Sequence, residues 1–590
     1  MSRHQNRFAI LCFLILSVCS QYPANGQTVA SPSGQTAAIQ APVLKWQRGG
    51  CYASWCETGW YSSPAVADLD GNGTMEVIAS AYSIVALDGA TGALRWRVRS
   101  GHDRAENVDV VKDVGRTWPG IIIADVDGNG DQEIVTAHGG GVVAVYNQDG
   151  YFEEGWPQKP INNEIRGLSV YDLDGDGSLE ILATGALGSK TNAWVFEHTG
   201  TVRSGWPQLS NDTGYAWGVY NDNAAIADLD ADGAGEIVIP SDVHYIAAYE
   251  ANGVQISANS IYGNKAWGKV GVHVAHAVDL RGYANCGAEH RPNFANSAAT
   301  VADVTGDGSL EVIVVGNVYN CGTDPYTDLY EMPFIFNRDR TRWQGNGFDW
   351  TAIPTPDNQA APLSEDYNLI ESVHPNPVAA DLDGDGKLEI LHPSYDGRVH
   401  AYWLDKTEHG QWPYAINKAG EGFFRFAGEP VVVDLDNNGR AEVIFASWVQ
   451  KGKNATGKLH LLDDQGNVLH EVDLPKAFNG DWNGALAAPT LANIDADADL
   501  EIVLNTAHAG FVAYDLPDTA NARILWGTGR GNQSRTGAIA DSNAPVATPT
   551  PPGQTPVPRP TPVGTPTIAP TAPPPTSFTN RLFLPVIRKR

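Results

Sequence analysis

Short apolar runs alternate with acidic, glycine-rich turns along most of this chain. PAVAD, IIIAD, AAIAD and PVVVD each lead into such a turn. EVIAS, EIVTA, EILAT, EIVIP, EVIVV, EILHP, EVIFA and EIVLN each lead out of one. Runs rich in Val and Ile between Gly/Asp turns predict buried strands. A third run often follows, as in SIVALDGATG, GVVAVYNQDG, AWVFEHTG, IAAYEANG and KLHLLDDQG, and a fourth is often Trp-bearing, as in LRWRV and ILWGTG. Three or four strands in about 50 residues, without helical period, predict one blade of a propeller. A lone blade cannot bury both faces, whereas blades packed in a ring can. The expected fold is all-β, a β-propeller of four-stranded antiparallel blades.

The turn itself repeats eight times: DLDGNGTME, DVDGNGDQE, DLDGDGSLE, DLDADGAGE, DVTGDGSLE, DLDGDGKLE, DLDNNGRAE and NIDADADLE. Eight copies predict eight blades, with seven blades plus one atypical module as the alternative. VLKWQ (Val43–Gln47) resembles the Trp-bearing fourth strands and is expected to pair with the last blade and close the ring.

Positions 1, 3, 5 and 9 of each turn carry oxygen-bearing side chains. They are Asp68, Asp70, Asn72 and Glu76; Asp125, Asp127, Asn129 and Glu133; Asp172, Asp174, Asp176 and Glu180; and Asp228, Asp230, Asp232 and Glu236. The later turns carry Asp303, Thr305, Asp307 and Glu311; Asp381, Asp383, Asp385 and Glu389; Asp434, Asp436, Asn438 and Glu442; and Asn493, Asp495, Asp497 and Glu501. Gly at position 6 permits a sharp bend, and position 7 offers a carbonyl. Six or seven hard oxygens in a flexible loop suit Ca²⁺, so up to eight structural calcium sites are expected. A metal-free Asp/Gly turn is the alternative for any one copy; eight copies of converging carboxylates argue for a cation. An EF-hand is excluded by the absence of an acidic residue at position 12 and by the strand-like flanks.

The pattern DxDGDGxxE after an apolar strand resembles the FG-GAP or VCBS repeat, as in the propeller of integrin α-subunits, over residues 43–537. The resemblance implies a propeller with calcium bound at positions 1, 3, 5 and 9. Two copies depart from it: Thr305 stands at position 3 of the fifth, and Asn493 at position 1 and Ala498 at position 6 of the eighth.

The remaining segments set the context. Residues 1–26 read as a secretory signal, with Arg3 and Arg7 before the apolar Phe8–Val18. Leu16-Ser17-Val18-Cys19 resembles a lipoprotein box, although Val18 is a poor residue before the cysteine. Residues 27–42 form a linker, 43–540 the propeller, 541–578 a Pro/Thr-rich stalk and 579–590 a short apolar and basic tail. No other segment is long and apolar enough to span a bilayer, so a secreted or surface-displayed protein is expected, with the stalk as a route of attachment. Cys51 with Cys56, and Cys286 with Cys321, are the natural disulfide pairs; free buried cysteines and a zinc site are the alternatives. A formal net charge of −29 argues against nucleic-acid binding.

Two stretches between blades are long enough to carry function. Residues 255–297 contain His273, His276, Asp279, Arg281, Glu289, His290 and Arg291, read as ordinary loop residues. Residues 317–370 contain Tyr326, Tyr330, Trp343 and Trp350, which either stack on sugars or cover the propeller. Trp156, Trp206 and Trp412, each before Pro, are assigned to blade packing. The expected function is a binding or adhesion module for an extracellular glycan or protein. The alternative is a polysaccharide lyase or glycan-processing enzyme, for which no catalytic constellation is visible. A quinone-dependent dehydrogenase is set aside because its repeat lacks these acidic loops.

Overall fold

The computed structural model describes residues 38–539, apart from residues 50–58, 81, 113–114, 186–190, 210–218, 221–223, 324–325 and 479–481. The signal, stalk and tail segments, and Cys51 and Cys56, lie outside the described residues. Eight small antiparallel sheets form an eight-bladed β-propeller, one blade per acidic turn. Blade 1 is typical. Ala65–Ala67 lies nearest the axis, then come Glu76–Ser80, Ser83–Asp88 and Leu94–Arg99. In blades 2, 3 and 4 the fourth position is held by isolated bridges such as Tyr146–Phe152, Phe196–Val202 and Tyr249–Gln255.

The ring closes between chain ends distant in sequence. Val43–Arg48 pairs antiparallel with Gly510–Leu516 and supplies the outer strand of blade 8. ILWGTG proves not to be a fourth strand. Arg523–Trp526 pairs instead with the innermost strand of blade 7, Val431–Asp434.

Beyond Trp526 the chain runs through the middle of the ring. Leu491 of blade 8 donates its backbone N–H to Gly527 O (2.8 Å), Val170 of blade 3 to Ser534 O (3.0 Å), Ile226 of blade 4 to Thr536 O (2.9 Å) and Val301 of blade 5 to Gly537 O (2.8 Å). Arg530 and Arg535 are buried, at 2% and 1% exposure. Arg535 donates to Ile121 O of blade 2 (2.9 Å) and to Pro64 O of blade 1 (2.8 Å). Arg530 donates to Ala224 O (3.2 Å) and Ala299 O. Glu429 of blade 7 accepts the Trp526 indole (3.2 Å) and the Arg530 backbone N–H (2.7 Å). Ile539 packs against the apolar cluster shared by blades 5 and 6, which includes Ala379 and Ile390. The segment therefore touches every blade. The inner strands are rich in Ala (Ala65, Ala67, Ala124, Ala225, Ala227, Ala299, Ala379 and Ala380), which leaves room at the axis for this plug.

Adjacent blades are joined by a recurring tryptophan. In seven of the eight blades an indole N–H from the outer edge donates to a carbonyl in the turn after the third strand of the next blade. The pairs are Trp46–Gly89 (2.7 Å), Trp96–Gln148 (3.0 Å), Trp156–His198 (2.8 Å), Trp206–Ala251 (3.1 Å), Trp267–Arg338 (2.7 Å), Trp350–Leu404 (2.9 Å) and Trp412–Asp464 (3.0 Å). Each Trp is at most 8% exposed, so it combines apolar burial with a directed bond. The blade-packing role expected of Trp156, Trp206 and Trp412 is thus what the structure shows. A weakened junction loosens the two blades it joins. Trp206→Phe is expected to lose about 1 kcal/mol of stability through the missing bond. Trp206→Ala is expected to lose about 3–5 kcal/mol through the additional cavity. Urea unfolding of the two variants checks the order.

The insertion at residues 255–297 is tied down by one buried carboxylate. Asp279 accepts the His273 backbone N–H (2.8 Å) and faces the His273 Nδ1 (3.0 Å) and the Arg342 Nε (3.1 Å). Cys286 and Cys321 form a disulfide, as expected.

Candidate metal loops and an axial cleft

The eight acidic loops lie on one face of the ring, because each joins the innermost strand to the second. Their local geometry repeats closely. In all eight the closing Glu accepts the backbone N–H of position 2: Leu69–Glu76 (2.9 Å), Val126–Glu133 (2.8 Å), Leu173–Glu180 (2.9 Å), Leu229–Glu236 (2.6 Å), Val304–Glu311 (3.1 Å), Leu382–Glu389 (2.7 Å), Leu435–Glu442 (2.9 Å) and Ile494–Glu501 (2.8 Å). The side chain at position 5 accepts the N–H of position 7, as between Asn72 and Thr74 (2.8 Å) or Asp232 and Ala234 (2.9 Å). In seven loops the position-1 Asp accepts the N–H of position 6, as between Asp172 and Gly177 (3.1 Å). The eighth departs: with Ala498 at position 6, the Asn493 amide donates instead to Asp497 O (2.6 Å). In the fifth loop the buried Thr305 hydroxyl has no hydrogen-bond partner.

Carboxylate oxygens of Asp68, Asp70 and Glu76; Asp125, Asp127 and Glu133; Asp172, Asp174 and Glu180; Asp228, Asp230 and Glu236; and Asp381, Asp383 and Asp385 each converge within 4.8 Å. Such clusters are spaced to hold a metal ion. Two further observations fit a cation. Buried oxygens of Asp125 and Glu236 have no hydrogen-bond partner. Burial, reinforced by the neighbouring carboxylates, pushes the closing glutamates up, Glu133 to about 7, Glu442 to about 8 and Glu389 to about 9. A positive ion would relieve both.

Basic side chains reach some of these loops, which the repeat pattern did not disclose. Arg95 pairs with Asp70 (3.2 Å) and Glu76 (2.6 Å), Arg203 with Asp174 (2.7 Å) and Glu180 (3.2 Å), and Lys45 with Asp495 and Glu501 (2.8 Å). Arg338, from the turn of blade 5, pairs with Asp230 of blade 4. The signal lay beside the recurring Trp: Lys45 and Arg95 directly precede it, and Arg203 stands three residues before Trp206.

The opposite face carries a cleft of about 740 Å³ at the axial mouth. Its walls come from residues that precede the inner strands (Tyr61, Arg116, Trp118, Tyr220, Asn296, Ser372) and from second strands and the turns after them (Asp242, Asn317, Tyr319, Tyr395). Tyr61 stacks on Trp118 and His374 with ring centroids 4.0 and 4.1 Å apart, and forms the floor. Arg116 and Arg166 lie over the Trp118 ring at 4.5 and 4.0 Å. Both pair with Glu164 at 2.8 Å, so two cations share one acid. Burial, with these two guanidiniums nearby, holds His374 well below its usual pKa and keeps it neutral.

The far wall is acidic and aromatic. Asn293 donates to Asp242 (2.7 Å) and Asn317 to Glu365 (2.9 Å). Tyr319 and Tyr326 lie 4.3 Å apart, and Tyr326 and Tyr367 are 53% and 57% exposed. Of the aromatics noted in residues 317–370, Trp343 and Trp350 are buried covers, whereas Tyr326 faces the cleft.

Glu331 lies in this wall at 4% exposure, and one oxygen accepts the Tyr395 N–H (3.0 Å). Burial raises its pKa to about 8. A carboxyl raised above its unfolded value of about 4.3 stabilises the fold fully at low pH. That contribution is lost as pH rises through about 8. Glu331→Gln is therefore expected to narrow the fall in melting temperature between pH 6 and pH 9, as thermal melts at the two values will show.

Fold and loops together define an eight-bladed propeller built from acidic-loop repeats. A family model for the FG-GAP-like repeat matches residues 125–183 and 381–445, and the chain carries FG-GAP-like repeats. No curated protein matches the sequence. Among solved structures, the rhamnogalacturonan lyase YesW is similar over 87% of this chain and 84% of its own, at 15% identity and a TM-score of 0.47. The V. cholerae biofilm matrix protein Bap1 is similar over 86% and 97%, at 12% identity and a TM-score of 0.40. The Bacillus licheniformis rhamnogalacturonan lyase PL11 is similar over 80% and 74%, at 15% identity and a TM-score of 0.43. No helix among the described residues is long and apolar enough to cross a membrane.

Proposed function

We propose that this is an exported propeller that binds an extracellular glycan in the axial cleft, while calcium braces the acidic-loop face. The observation that carries the reading is the cleft itself. Exposed Tyr326 and Tyr367 offer rings for the C–H faces of sugars. Asp242, Glu365 and Glu371 offer acceptors for hydroxyls, and Arg116 with Arg166 offers charge-assisted donors for an acidic or hydroxyl-rich unit. A concave cavity of this size accommodates a few sugar units better than the flat surface of a folded protein partner. The Cys286–Cys321 disulfide supports an oxidising, extracellular setting. The acidic surface does not favour nucleic acid.

The test is a glycan array followed by titration of the hits. Tyr326→Ala combined with Tyr367→Ala is expected to weaken binding at least tenfold with the fold unchanged. Undiminished binding by the double variant would sink the cleft assignment.

A second reading, polysaccharide lyase, draws on Arg116 and Arg166. Paired guanidiniums neutralise a uronate carboxylate and so acidify the adjacent C–H. Incubation with acidic polysaccharides, read as absorbance from unsaturated products, decides between the two. Product formation supports the lyase, and retention without product supports simple binding.

A further inference from the structure

The strand register places one outer-edge residue at an equivalent position beside the loop in blades 1, 2, 3 and 8. In blades 1, 2, 3 and 8 the residues paired with the third strand there are Leu94, Phe152, Val202 and Leu44. The residues that follow them are Arg95, Glu153, Arg203 and Lys45. The equivalence of Glu153 and Arg203 is shown by their backbone bonds, Glu153 N–H to Val145 O (3.0 Å) and Arg203 N–H to Val195 O (2.8 Å).

At this position Arg95, Arg203 and Lys45 each bridge the position-3 Asp and the closing Glu of their own loop. A fixed positive charge thus stands among the very oxygens that would coordinate a metal. Blade 2 inverts the arrangement. Glu153 adds a carboxylate to Asp125, Asp127, Asp131 and Glu133. Among the described residues no basic side chain forms an ion pair with any of the five. A cavity of about 400 Å³ opens between Asp127, Glu133 and Glu153, with Glu154 and His198 also on its wall. One buried oxygen of Asp125 has no hydrogen-bond partner.

We propose that blade 2 is the strongest divalent-cation site of the ring, with Glu153 as an additional oxygen ligand, and that Lys45, Arg95 and Arg203 stand in for the ion in blades 8, 1 and 3. This rests on the calcium reading above and divides its sites into two kinds. Carboxylate count sets the affinity of an oxygen-ligand loop. A guanidinium is permanently charged, so a loop filled by one has little electrostatic demand left for a metal. The ring thereby meets one charge requirement in two ways, with a built-in cation in some blades and an exchangeable one in others.

The test is calorimetric titration of the full chain with calcium alone, repeated with terbium luminescence excited through tryptophan. Glu153→Arg, which copies blade 3, is expected to remove one tight site and leave the others unchanged. Glu153→Gln, which keeps the shape, is expected to weaken that site at least tenfold. Arg203→Glu, which copies blade 2, is expected to add one tight site. The inference is overturned if calcium binds to wild type while either Glu153 variant titrates identically, or if natively folded Arg203→Glu gains no site. If calcium binds nowhere, the calcium reading falls and takes this division with it.

Discussion

Arg535→Ala is expected to be among the most damaging single substitutions in the described chain, costing about 3–5 kcal/mol. Arg535 is buried at the axis and donates to Ile121 O, Pro64 O, Gly529 O (2.9 Å), the Thr528 hydroxyl (2.5 Å) and Ser63 O (3.3 Å). Its partners belong to the inner edges of blades 1 and 2 and to the plug itself. Ser63 O also accepts the Ile121 N–H (3.0 Å) and Pro64 O the Thr490 hydroxyl (2.7 Å), so Arg535 matters most for Ile121 O and Gly529 O. Truncation removes a charged donor from each of these buried acceptors, opens a void and loosens two blades at once. Arg535→Lys keeps the charge but supplies a single ammonium in place of a five-donor fork, so it is expected to recover only part of the loss. Chemical denaturation of the three proteins tests the order. An Arg535→Ala protein as stable as wild type would show the plug to be a passenger.

Removal of divalent cations is expected to produce the second large effect. Each occupied loop contributes about 2.7 kcal/mol when free calcium exceeds its dissociation constant a hundredfold. Several such loops lost together remove a sizeable part of a marginal total. Chelator is therefore expected to lower the melting temperature steeply, and added calcium to restore it. Lys45→Gln, Arg95→Gln or Arg203→Gln is expected to increase this dependence, because a loop deprived of its own cation leans on the soluble one. A melting temperature insensitive to chelator would show the loops to be self-sufficient turns.

What was legible in the chain follows from what repeats. The acidic turns recur with their strands attached, so blade number, loop position and the closing role of Val43–Gln47 could all be read from residues. Misreading came where one pattern serves two purposes. ILWGTG looks like LRWRV because both are short, apolar and Trp-bearing, yet one is an outer strand and the other pairs at the axis. The plug that follows, rich in Gly, Ser, Thr and Asn, has no hydrophobic period, because its partners are backbone groups on all sides rather than one apolar face. The cleft was hidden for a different reason. Tyr61, Arg116, Arg166, Tyr220 and Tyr395 are far apart in sequence and converge only because each sits at the same end of its own blade. The long insertions contain Tyr326 but neither the floor nor the cationic wall.

The course of the plug also fixes the direction of the chain at the end of its axial run. Arg523–Trp526 runs antiparallel to its neighbour in blade 7, the chain turns back near Arg530, and Ala538 then lies parallel to Val301 of blade 5. At Ile539 it thus points toward the acidic loops. An attachment made at that point would hold the ring by its acidic face and leave the cleft on the far side. Force applied there would be borne through the plug's bonds to the inner strands of the ring rather than by one blade.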